Sequence, residues 1–382
     1  MNSTDKLFLL DAYALIYRSY YAFIKNPRIN SKGFNTSAIL GFVNTLEEVL
    51  KKENPTHIGV AFDPSGPTFR HEAYEQYKAQ REETPEAIRL SVPIIKDIIR
   101  AYRIPILEVS GYEADDVIGT LATEAGRQGI ITYMMTPDKD YGQLVSDNVF
   151  MYRPKHSGGF EVMGIDEIKA KFNIRSTEQV IDMLGLMGDS SDNIPGVPGI
   201  GEKTALALVQ KFGSLQGVYE HLDDKAIKPK QREKLEANKE LAELSHMLGT
   251  IRKDAPIETA PEHYCRTAGD PAAAAQLLAE LEMHKLTARW GLDESPAAVA
   301  ASAETLPEVQ PDLLPLAPEG RYDLAQNKDG SWYAVQGDSV YLLDNDRLPS
   351  LLDAAGVQLR VFDAKPLYHI ALEHGGVGAA IV

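Results

Sequence analysis

The fold is decided by residues 111–140, which read GYEADDVIGTLATEAGRQGIITYMMTPDKD. Apolar residues at helical spacing run from 113 to 127, and the short apolar run 130–136 that follows is typical of a buried strand. The stretch therefore predicts a helix followed by a strand. Acidic residues stand at the start of the helix and just beyond the end of the strand.

Strands and helices alternate in the same way on the N-terminal side of this stretch. Residues 6–10, 57–62 and 104–109 are further short apolar runs, and residues 36–52 and 84–103 have helical periodicity. This alternation predicts an α/β fold with a mostly parallel sheet covered by helices on both faces. Ligands of such sheets bind at the carboxyl ends of the strands.

Composition changes along the chain predict its domain organisation. The pattern becomes helical after residue 165, turns rich in Pro, Ala and Glu at 291, and then predicts a β-hairpin over 322–343 that turns at 328–330. The predicted regions are an α/β core over 1–165, a helical region over 166–290, a linker over 291–318 and a partial α/β unit over 319–382.

Composition excludes several classes of protein and leaves nucleic acid open as a partner. No apolar run approaches the roughly 20 residues that a membrane helix needs, and no signal peptide precedes Asp11. The single cysteine, Cys265, fits a reducing cytoplasm. The formal net charge is −16, yet residues 70–103 and 225–239 hold more basic than acidic residues. We therefore expect a cytoplasmic monomer that does not bind membranes.

Carboxylates follow nearly every predicted strand of the sheet. A single aspartate after a strand is commonly the N-cap of the next helix, and acidic residues in a first helical turn interact favourably with the helix dipole. As a set, however, these groups repel one another and raise one another's pKa, a conflict that hard cations remove. The set is Asp11, Asp63, Glu113, Asp115, Asp116, Asp138, Asp140, Asp189 and Asp192.

The spacing within this set predicts one shared site. Glu113 and Asp116 lie three residues apart on one helix face, and Asp138 and Asp140 lie on one side of an extended chain. Mg²⁺ prefers oxygen ligands, and two such ions about 4 Å apart stabilise the attacking and leaving oxygens of phosphodiester cleavage. The sequence therefore predicts a phosphodiesterase with two divalent cations.

Residues 196–201, GVPGIG, predict a hairpin between two helices. Its glycines allow backbone amides to approach a phosphate at the start of the next helix, which is the helix-hairpin-helix signature for duplex backbone. An ordinary helix–helix turn is the alternative, but the position directly after Asp189 and Asp192 favours DNA binding. The predicted contacts are Gly196, Gly199, Gly201, Lys203 and Thr204.

Residues 69–81, FRHEAYEQYKAQR, interleave basic and aromatic side chains at helical spacing. Such side chains can bind a phosphate and stack on a base. A solvated amphipathic helix is the alternative explanation. The candidate DNA contacts in this segment are Arg70, Tyr74, Tyr77, Lys78 and Arg81, and Arg18 and Tyr21 are weaker candidates after the first strand.

Together these motifs resemble the 5′-nuclease (flap endonuclease) family, in particular the N-terminal nuclease of the bacterial DNA polymerase I family. The strings that carry the resemblance occur in family order between residues 1 and 290. They are LFLLDAYALIYRSYYA, FRHEAYEQYKAQR, GYEADDVIGTLA, TPDKDYGQLV and GDSSDNIPGVPGIGEKTA.

The resemblance implies a PIN-like core with a helical arch over 70–103 and a duplex-binding hairpin that often binds K⁺. It implies hydrolysis of 5′ flaps and of nicked or gapped DNA with two Mg²⁺ or Mn²⁺ ions. Lys78 and Arg81 would contact the scissile phosphate. By this likeness Asp11, Asp63, Glu113 and Asp115 or Asp116 would hold the first metal, and Asp138, Asp140, Asp189 and Asp192 the second.

The C-terminal region resembles the degenerate 3′–5′ exonuclease domain of some bacterial polymerases I. Residues 316–382 contain no Asp-x-Glu, which an active domain of that kind needs. The resemblance implies an inactive, partial RNase H-like unit. Because the chain stops on the apolar pair Ile381-Val382, we expect a longer parent protein that carries a polymerase.

Several other functions stand as alternatives. A stand-alone 5′–3′ exonuclease of the same fold should end near residue 290, and a nuclease-dead DNA-binding module should have lost some carboxylates. A PIN-type ribonuclease would need neither the hairpin nor the long arch. A nucleotide-cofactor enzyme is disfavoured because no Gly-x-Gly-x-x-Gly follows the first strand.

Overall fold

The computed structural model describes two compact units, Met1–Ser295 and Pro296–Val382. The predicted linker lies outside the described residues except for Gly291, and so does the predicted hairpin turn at 328–330. The residues that the structure describes are 5–155, 158–291, 319–326, 332–336, 339–343, 347–361 and 380–381.

Six strands form the sheet of the first unit. They are β1 (Lys6–Asp11), β2 (His57–Ala61), β3 (Ile106–Leu107), β4 (Ile131–Met135), β5 (Val149–Pro154) and β6 (Phe160–Met163). Their order is β3-β2-β1-β4-β5-β6, and every neighbouring pair is parallel except β5 and β6. The four predicted strands are present, and the mostly parallel sheet is confirmed.

Helices are interleaved with these strands and then continue alone. The interleaved helices are α1 (Ala12–Ala22), α2 (Ser37–Glu48), α3 (Phe69–Ala73), α4 (Glu86–Ala101) and α5 (Ala114–Arg127). Those after β6 are α6 (Ile165–Phe172), α7 (Gln179–Met187), α8 (Glu202–Phe212), α9 (Leu215–Glu220), α10 (Pro229–Ala237), α11 (Lys239–Gly249), α12 (Pro271–Glu280) and α13 (His284–Trp290). None of the helices in the described parts of the chain is long and apolar enough to cross a membrane.

The central strand β1 is buried on both faces, as its continuous apolar run predicts. Phe8 and Leu10 join the core on the side of α2 and α4, whereas Leu7 and Leu9 join the core on the side of α5. The register pairs Asp11 with Ala61 of β2, and Leu10 with Met135 of β4. The carboxyl ends of β1, β2 and β4 therefore meet at one edge of the sheet.

Strands β5 and β6 escaped prediction from the sequence. Their sequences, VFMYRP and FEVM, each contain a charged residue among apolar ones. Strand β6 lies at the edge of the sheet and is partly exposed. Periodicity alone does not mark such strands.

The single helix predicted over 270–290 is two helices, α12 and α13. Glu282 between them has a left-handed backbone with φ 62°.

Residues 69–81 differ from the predicted single helix. Helix α3 ends at Ala73, and turns follow, with Lys78 in the left-handed region at φ 55°. The turn is tied to the loop after α7, because the amide of Lys78 donates to the carbonyl of Asp192 at 2.9 Å. Helix α4 follows and buries Ile88 and Ile95 in the core, so the segment 70–103 of the predicted arch consists of two helices joined by turns and irregular chain.

The helical region contains the predicted hairpin between α7 and α8. Gly188 and Gly196 both have left-handed backbones, with φ 70° and 60°, and their backbones touch. A Cβ at Gly196 would lie 2.3 Å from the amide nitrogen of Gly188. The amide of Gly196 donates to the Ser245 hydroxyl of α11 at 2.8 Å. Gly196 therefore closes the loop internally.

Among the described residues of the second unit, five strands form a mixed sheet. The elements of this unit are β7 (Gly320–Gln326), β8 (Trp332–Gln336), β9 (Ser339–Leu343), α14 (Arg347–Asp353), β10 (Val357–Val361) and β11 (Ala380–Ile381). The order is β11-β10-β7-β8-β9, with an antiparallel β7-β8-β9 meander. Tyr322, Trp332 and Leu359 belong to its core. The predicted hairpin strands are confirmed.

We predict that Gly196→Ala destabilises the first unit by about 2–4 kcal/mol, because the new Cβ adds a backbone clash to an unfavourable φ. Urea denaturation measures the effect. Gly201→Ala in the same hairpin is the control, since a Cβ there meets no atom within 4 Å. Equal stability of the two variants would contradict the close approach.

Candidate active site

A cavity of about 720 Å³ opens at the sheet edge where β1, β2 and β4 end. Its walls combine acidic side chains with the two basic side chains Lys78 and Arg81. The chain thus brings together residues from seven separate segments of the sequence, 11–21, 63–64, 77–85, 113–115, 138–141, 192–194 and 248–251. The predicted carboxylates that line the cavity are Asp11, Asp63, Glu113, Asp115, Asp138, Asp140 and Asp192.

Asp11 ends β1 and is fixed by three hydrogen bonds. Its carboxylate accepts from the amide of Ala14 at 3.2 Å and from the hydroxyls of Thr136 and Tyr141, each at 3.1 Å. Burial, followed by the charge of Asp63, raises the pKa of Asp11 to about 7. The N-cap interpretation is therefore correct for Asp11, but it does not remove the electrostatic conflict.

Asp63, Asp138 and Asp140 are in the same situation. Burial raises the pKa of Asp63, although the amide of Ala114 donates to it at 2.8 Å. Burial also raises the pKa of Asp138, and burial together with the charge of Asp138 raises the pKa of Asp140 to about 8. The protein therefore leaves part of the negative charge at this edge without a basic partner.

Glu113 is the exception in the cavity. Its carboxylate accepts from Lys78 Nζ at 2.9 Å to both oxygens, from Tyr77 at 3.0 Å and from Arg70 at 3.2 Å. Burial alone would raise the pKa of Glu113, but Lys78 and Arg70 outweigh burial and lower it. Glu113 therefore stays ionised, and Lys78 is held at the cavity wall.

Lys78 and Arg81 connect the sheet edge to the loop after α7. Lys78 Nζ lies 3.8 Å from Asp192, and Arg81 is hydrogen-bonded to the same carboxylate. A left-handed non-glycine residue such as Lys78 costs free energy and is typical of functional sites. Both predicted phosphate contacts thus lie beside the acidic cluster.

Asp189 lies beside the cavity, paired with a lysine that the sequence analysis did not select. Lys139 Nζ lies 3.2 Å from Asp189, and the amide of Ser191 donates to Asp189 at 2.7 Å. Burial would raise the pKa of Asp189, but the Ser191 amide and Lys139 lower it. The position of Lys139 between Asp138 and Asp140 is the feature of the sequence that could have identified this lysine as part of the site.

Arg70 and Asp116 are corrections to the predicted site. Arg70 is 1% exposed and gives Asp116 two hydrogen bonds, at 2.7 and 2.8 Å, so it cannot contact DNA in this arrangement. Asp116 is fully buried and also accepts from the amides of Glu113 and Arg252, at 3.0 and 2.8 Å. Asp115, not Asp116, faces the cavity.

Arg70 also reaches the helical region. Its guanidinium donates to the carbonyls of Leu248 and Thr250, at 2.9 and 3.1 Å, at the C-terminal end of α11. The buried ion pair with Asp116 thus joins α3, the start of α5 and the end of α11. A positive charge that the sequence assigned to a DNA surface holds the carboxylate-bearing helix in place.

Two further predicted DNA contacts are buried. Tyr77 is 3% exposed, packs against Ile194 and Leu248, and donates to Glu113, so it positions a carboxylate and cannot stack on a base. Gly196 is buried, and its amide is used by Ser245. Both predictions failed because spacing along the chain does not report tertiary burial.

The remaining predicted contacts are at least partly accessible. Tyr74 is half-buried against Tyr77 and Leu248. Arg18 is exposed and donates to the carbonyl of Lys155 at 3.0 Å. The three hairpin residues Gly199, Gly201 and Lys203 are exposed. Thr204 is half-buried, and its amide donates a hydrogen bond to the carbonyl of Gly201.

A row of tyrosines on α1 also lines the cavity. Tyr13, Tyr17 and Tyr21 recur every fourth residue, and their ring centroids are 6.4 and 6.3 Å apart. Tyr21 is 53% exposed at the outer end of the row, whereas the Tyr17 hydroxyl donates to Thr84 at 2.9 Å. The four-residue spacing was visible in the sequence, but only Tyr21 was selected from it.

The cavity offers oxygen donors to a cation. Across the described residues, no group of three or more His, Cys, Asp or Glu side chains lies close enough together to hold a metal ion. The cavity is instead an open set of carboxylates, which suits Mg²⁺ because this ion keeps several of its waters. The raised pKa values of Asp11 and Asp140 reflect negative charge that a cation would stabilise.

Two family descriptions match consecutive parts of the chain. The first, "5'-3' exonuclease, N-terminal resolvase-like domain", matches residues 6–173. The second, "5'-3' exonuclease, C-terminal SAM fold", matches residues 175–272. The matched residues include the whole cavity and the hairpin.

Named relatives match the same region. A 5′–3′ exonuclease of Aquifex aeolicus is 38% identical over 280 residues, which cover 73% of this chain and 93% of that protein. A DNA polymerase I of Geobacillus stearothermophilus is 34% identical over 407 residues, which cover 94% of this chain and 45% of that protein. The chain spans 34% of the length of the Bacillus caldotenax DNA polymerase I.

A solved structure shares the fold. The bacteriophage T5 D15 flap endonuclease, in a pseudo-enzyme-product complex with DNA and metal ions, superimposes with a TM-score of 0.52 at 22% identity. The match covers 76% of this chain and all of that one. It supports the predicted PIN-like α/β core followed by a helical region.

We predict that Arg70→Met destabilises the first unit by about 3–5 kcal/mol, because it leaves the Asp116 carboxylate buried without its charge partner. Chemical denaturation measures the change. Arg81→Met is the control: Arg81 is 53% exposed, and loss of a surface ion pair costs about 0–1 kcal/mol. Equal effects of the two substitutions would refute the structural role of Arg70.

Proposed function

The chain belongs to the 5′–3′ exonuclease family, a family of nucleases, and from that premise we propose that it hydrolyses DNA phosphodiesters near a free 5′ end. The proposed substrates are 5′ flaps and nicked or gapped duplexes. One observation carries the proposal: the carboxylates at three strand ends and the basic side chains Lys78 and Arg81 line the same cavity.

The proposed cofactors are two Mg²⁺ or Mn²⁺ ions. Their support is the all-oxygen donor set and the raised pKa values of Asp11 and Asp140, which result first from burial and then from the charge of neighbouring carboxylates. When bound, such ions stabilise the attacking and leaving oxygens of phosphodiester cleavage. We assign Asp11, Asp63, Glu113 and Asp115 to the first ion and Asp138, Asp140, Asp189 and Asp192 to the second.

The basic side chains of the cavity orient the scissile phosphate in this proposal. Lys78 and Arg81 each already hold a carboxylate, Glu113 and Asp192 respectively. Their N–H groups would donate to the non-bridging phosphate oxygens and stabilise charge that builds up there during cleavage. Glu113 stays ionised and keeps Lys78 charged and in place.

The duplex beside the cleaved end would bind the hairpin between α7 and α8. Gly199, Gly201 and Lys203 are exposed there, and the amides of Glu202 and Lys203, the first two of α8, have no hydrogen-bond partner among the described residues and can bind a phosphate, as at other helix N-termini. A K⁺ ion at this hairpin is part of the proposal. Nearly the whole T5 neighbour, described with DNA and metal ions, superimposes on the part of the chain that holds both sites.

We further propose that the chain acts in replication and repair as the nuclease part of a DNA polymerase I. The match to the Geobacillus stearothermophilus polymerase covers 94% of the chain, whereas the match to the Aquifex aeolicus exonuclease covers 73%. We expect this part to be a cytoplasmic monomer, which sedimentation at several concentrations would test. A concentration-dependent increase in mass would contradict it.

We predict that a duplex with a labelled 5′ flap is cut in Mg²⁺ and left intact in EDTA, and that Asp138→Asn lowers the rate at least about 100-fold. Even partners outside the ligand shell of a metal commonly contribute about 10- to 100-fold. Asp166→Asn is the control, because Asp166 is 93% exposed on α6. Equal cutting with Mg²⁺ and EDTA, or full activity of Asp138→Asn, would refute the mechanism.

Lys78→Met should lower the maximal cleavage rate by about 100- to 1000-fold, in the range seen when one charge-stabilising donor is removed. Single-turnover kinetics with saturating enzyme separates this loss from weaker DNA binding. Lys169→Met removes an equal charge on α6 and should cleave normally. If Lys78→Met weakened binding alone, Lys78 would not act on the reacting phosphate.

A further inference from the structure

Six basic side chains between residues 225 and 239 form a basic surface on and around α10 that has no role in the site described so far. Two of its side chains are paired: Arg232 with Asp223 at 2.9 Å and Lys239 with Glu243 at 3.7 Å. The others have no acidic partner within 158–291. The basic residues of the segment are Lys225, Lys228, Lys230, Arg232, Lys234 and Lys239.

Lys234 is the member of this surface that touches the hairpin. Its ammonium donates to the carbonyl of Gly199 at 3.2 Å. A Cβ built on Gly199 would lie 2.0 Å from that ammonium, and the backbone of Gly199 is left-handed at φ 81°. Glycine is therefore needed at 199 for the turn and also for the space that the Lys234 ammonium occupies.

Other phosphate-binding groups lie beside this contact. Helix α8 begins at Glu202 after Gly201, whose lack of a side chain leaves the first amides of the helix without a side-chain cap. Lys203 is exposed in the same first turn. The Lys234 ammonium of α10 and the first two amides of α8 therefore place positive charge from two helices beside one hairpin.

We propose that Lys234 binds a backbone phosphate of duplex DNA together with the hairpin, so that α10 is part of the duplex-binding surface. This inference rests on the proposed function and adds a residue and a helix to it. Duplex DNA fits because its phosphates recur along the strand, and an exposed row of unpaired lysines can follow them without reading sequence.

The test is the affinity of the full chain for a labelled 5′-flap duplex in EDTA, where no cleavage is expected, measured by fluorescence anisotropy at several salt concentrations. Lys234→Met should bind about eightfold more weakly near 0.1 M salt, because each phosphate contact releases about 0.9 of a counterion. The slope of log affinity against log salt should become shallower by about 0.9.

Lys230→Met is the matched control, since it removes the same charge one helical turn earlier on α10, from a side chain that does not touch the hairpin. It should weaken binding less than Lys234→Met. Lys234→Arg should restore most of the affinity. Equal losses for Lys230→Met and Lys234→Met would overturn the specific role of Lys234.

Gly199→Ala tests the contact itself. The new methyl group should displace the Lys234 ammonium. Gly199→Ala should therefore weaken DNA binding when Lys234 is present, and should weaken it much less when it is added to Lys234→Met. Binding by Lys234→Met equal to that of the unsubstituted chain would overturn the inference and leave the proposed function standing. Failure of the unsubstituted chain to bind or cut the duplex would overturn both.

Discussion

Repulsion between carboxylates at one sheet edge is the constraint on which the first unit depends. Parallel strands end at the same edge, so aspartates after β1, β2 and β4 are forced together. The protein pairs only some of them with basic side chains: Arg70 pairs with Asp116 and Lys78 with Glu113, whereas Asp11 and Asp140 have raised pKa values. Asp116 is thereby part of the scaffold, whereas under the proposed function the carboxylates that line the cavity hold cations.

The same basic side chains join the sheet to the helical region. Arg70 donates to the carbonyls of Leu248 and Thr250 at the C-terminal end of α11, and Lys78 and Arg81 reach Asp192 in the loop before the hairpin. A shift of the hairpin would therefore move the acidic loop relative to the sheet edge. Under the proposed function, binding of the duplex and alignment of the cleavage site become one structural event.

The sequence was sufficient for features that depend on local pattern. Apolar runs ending in an aspartate predicted β1, β2 and β4, and the spacing of glycines predicted the hairpin. It was insufficient where tertiary burial determines the role of a side chain. Arg70 and Tyr77 are residue types common in DNA-binding helices, but both are buried inside the protein. Asp116 and Asp115 are neighbours on one helix, and the sequence does not tell that Asp116 is buried against Arg70 while Asp115 lines the cavity.

The net charge of −16 acquires a physical meaning from this arrangement. The acidic side chains of the cavity would repel a phosphate, whereas the surface of α8 and α10 would attract one. Without cations, a duplex could therefore bind the helical region while its scissile phosphate stays out of the cavity. Under the proposed function, divalent cations would reverse that local repulsion, so the ions that support the chemistry would also admit the phosphate to the site.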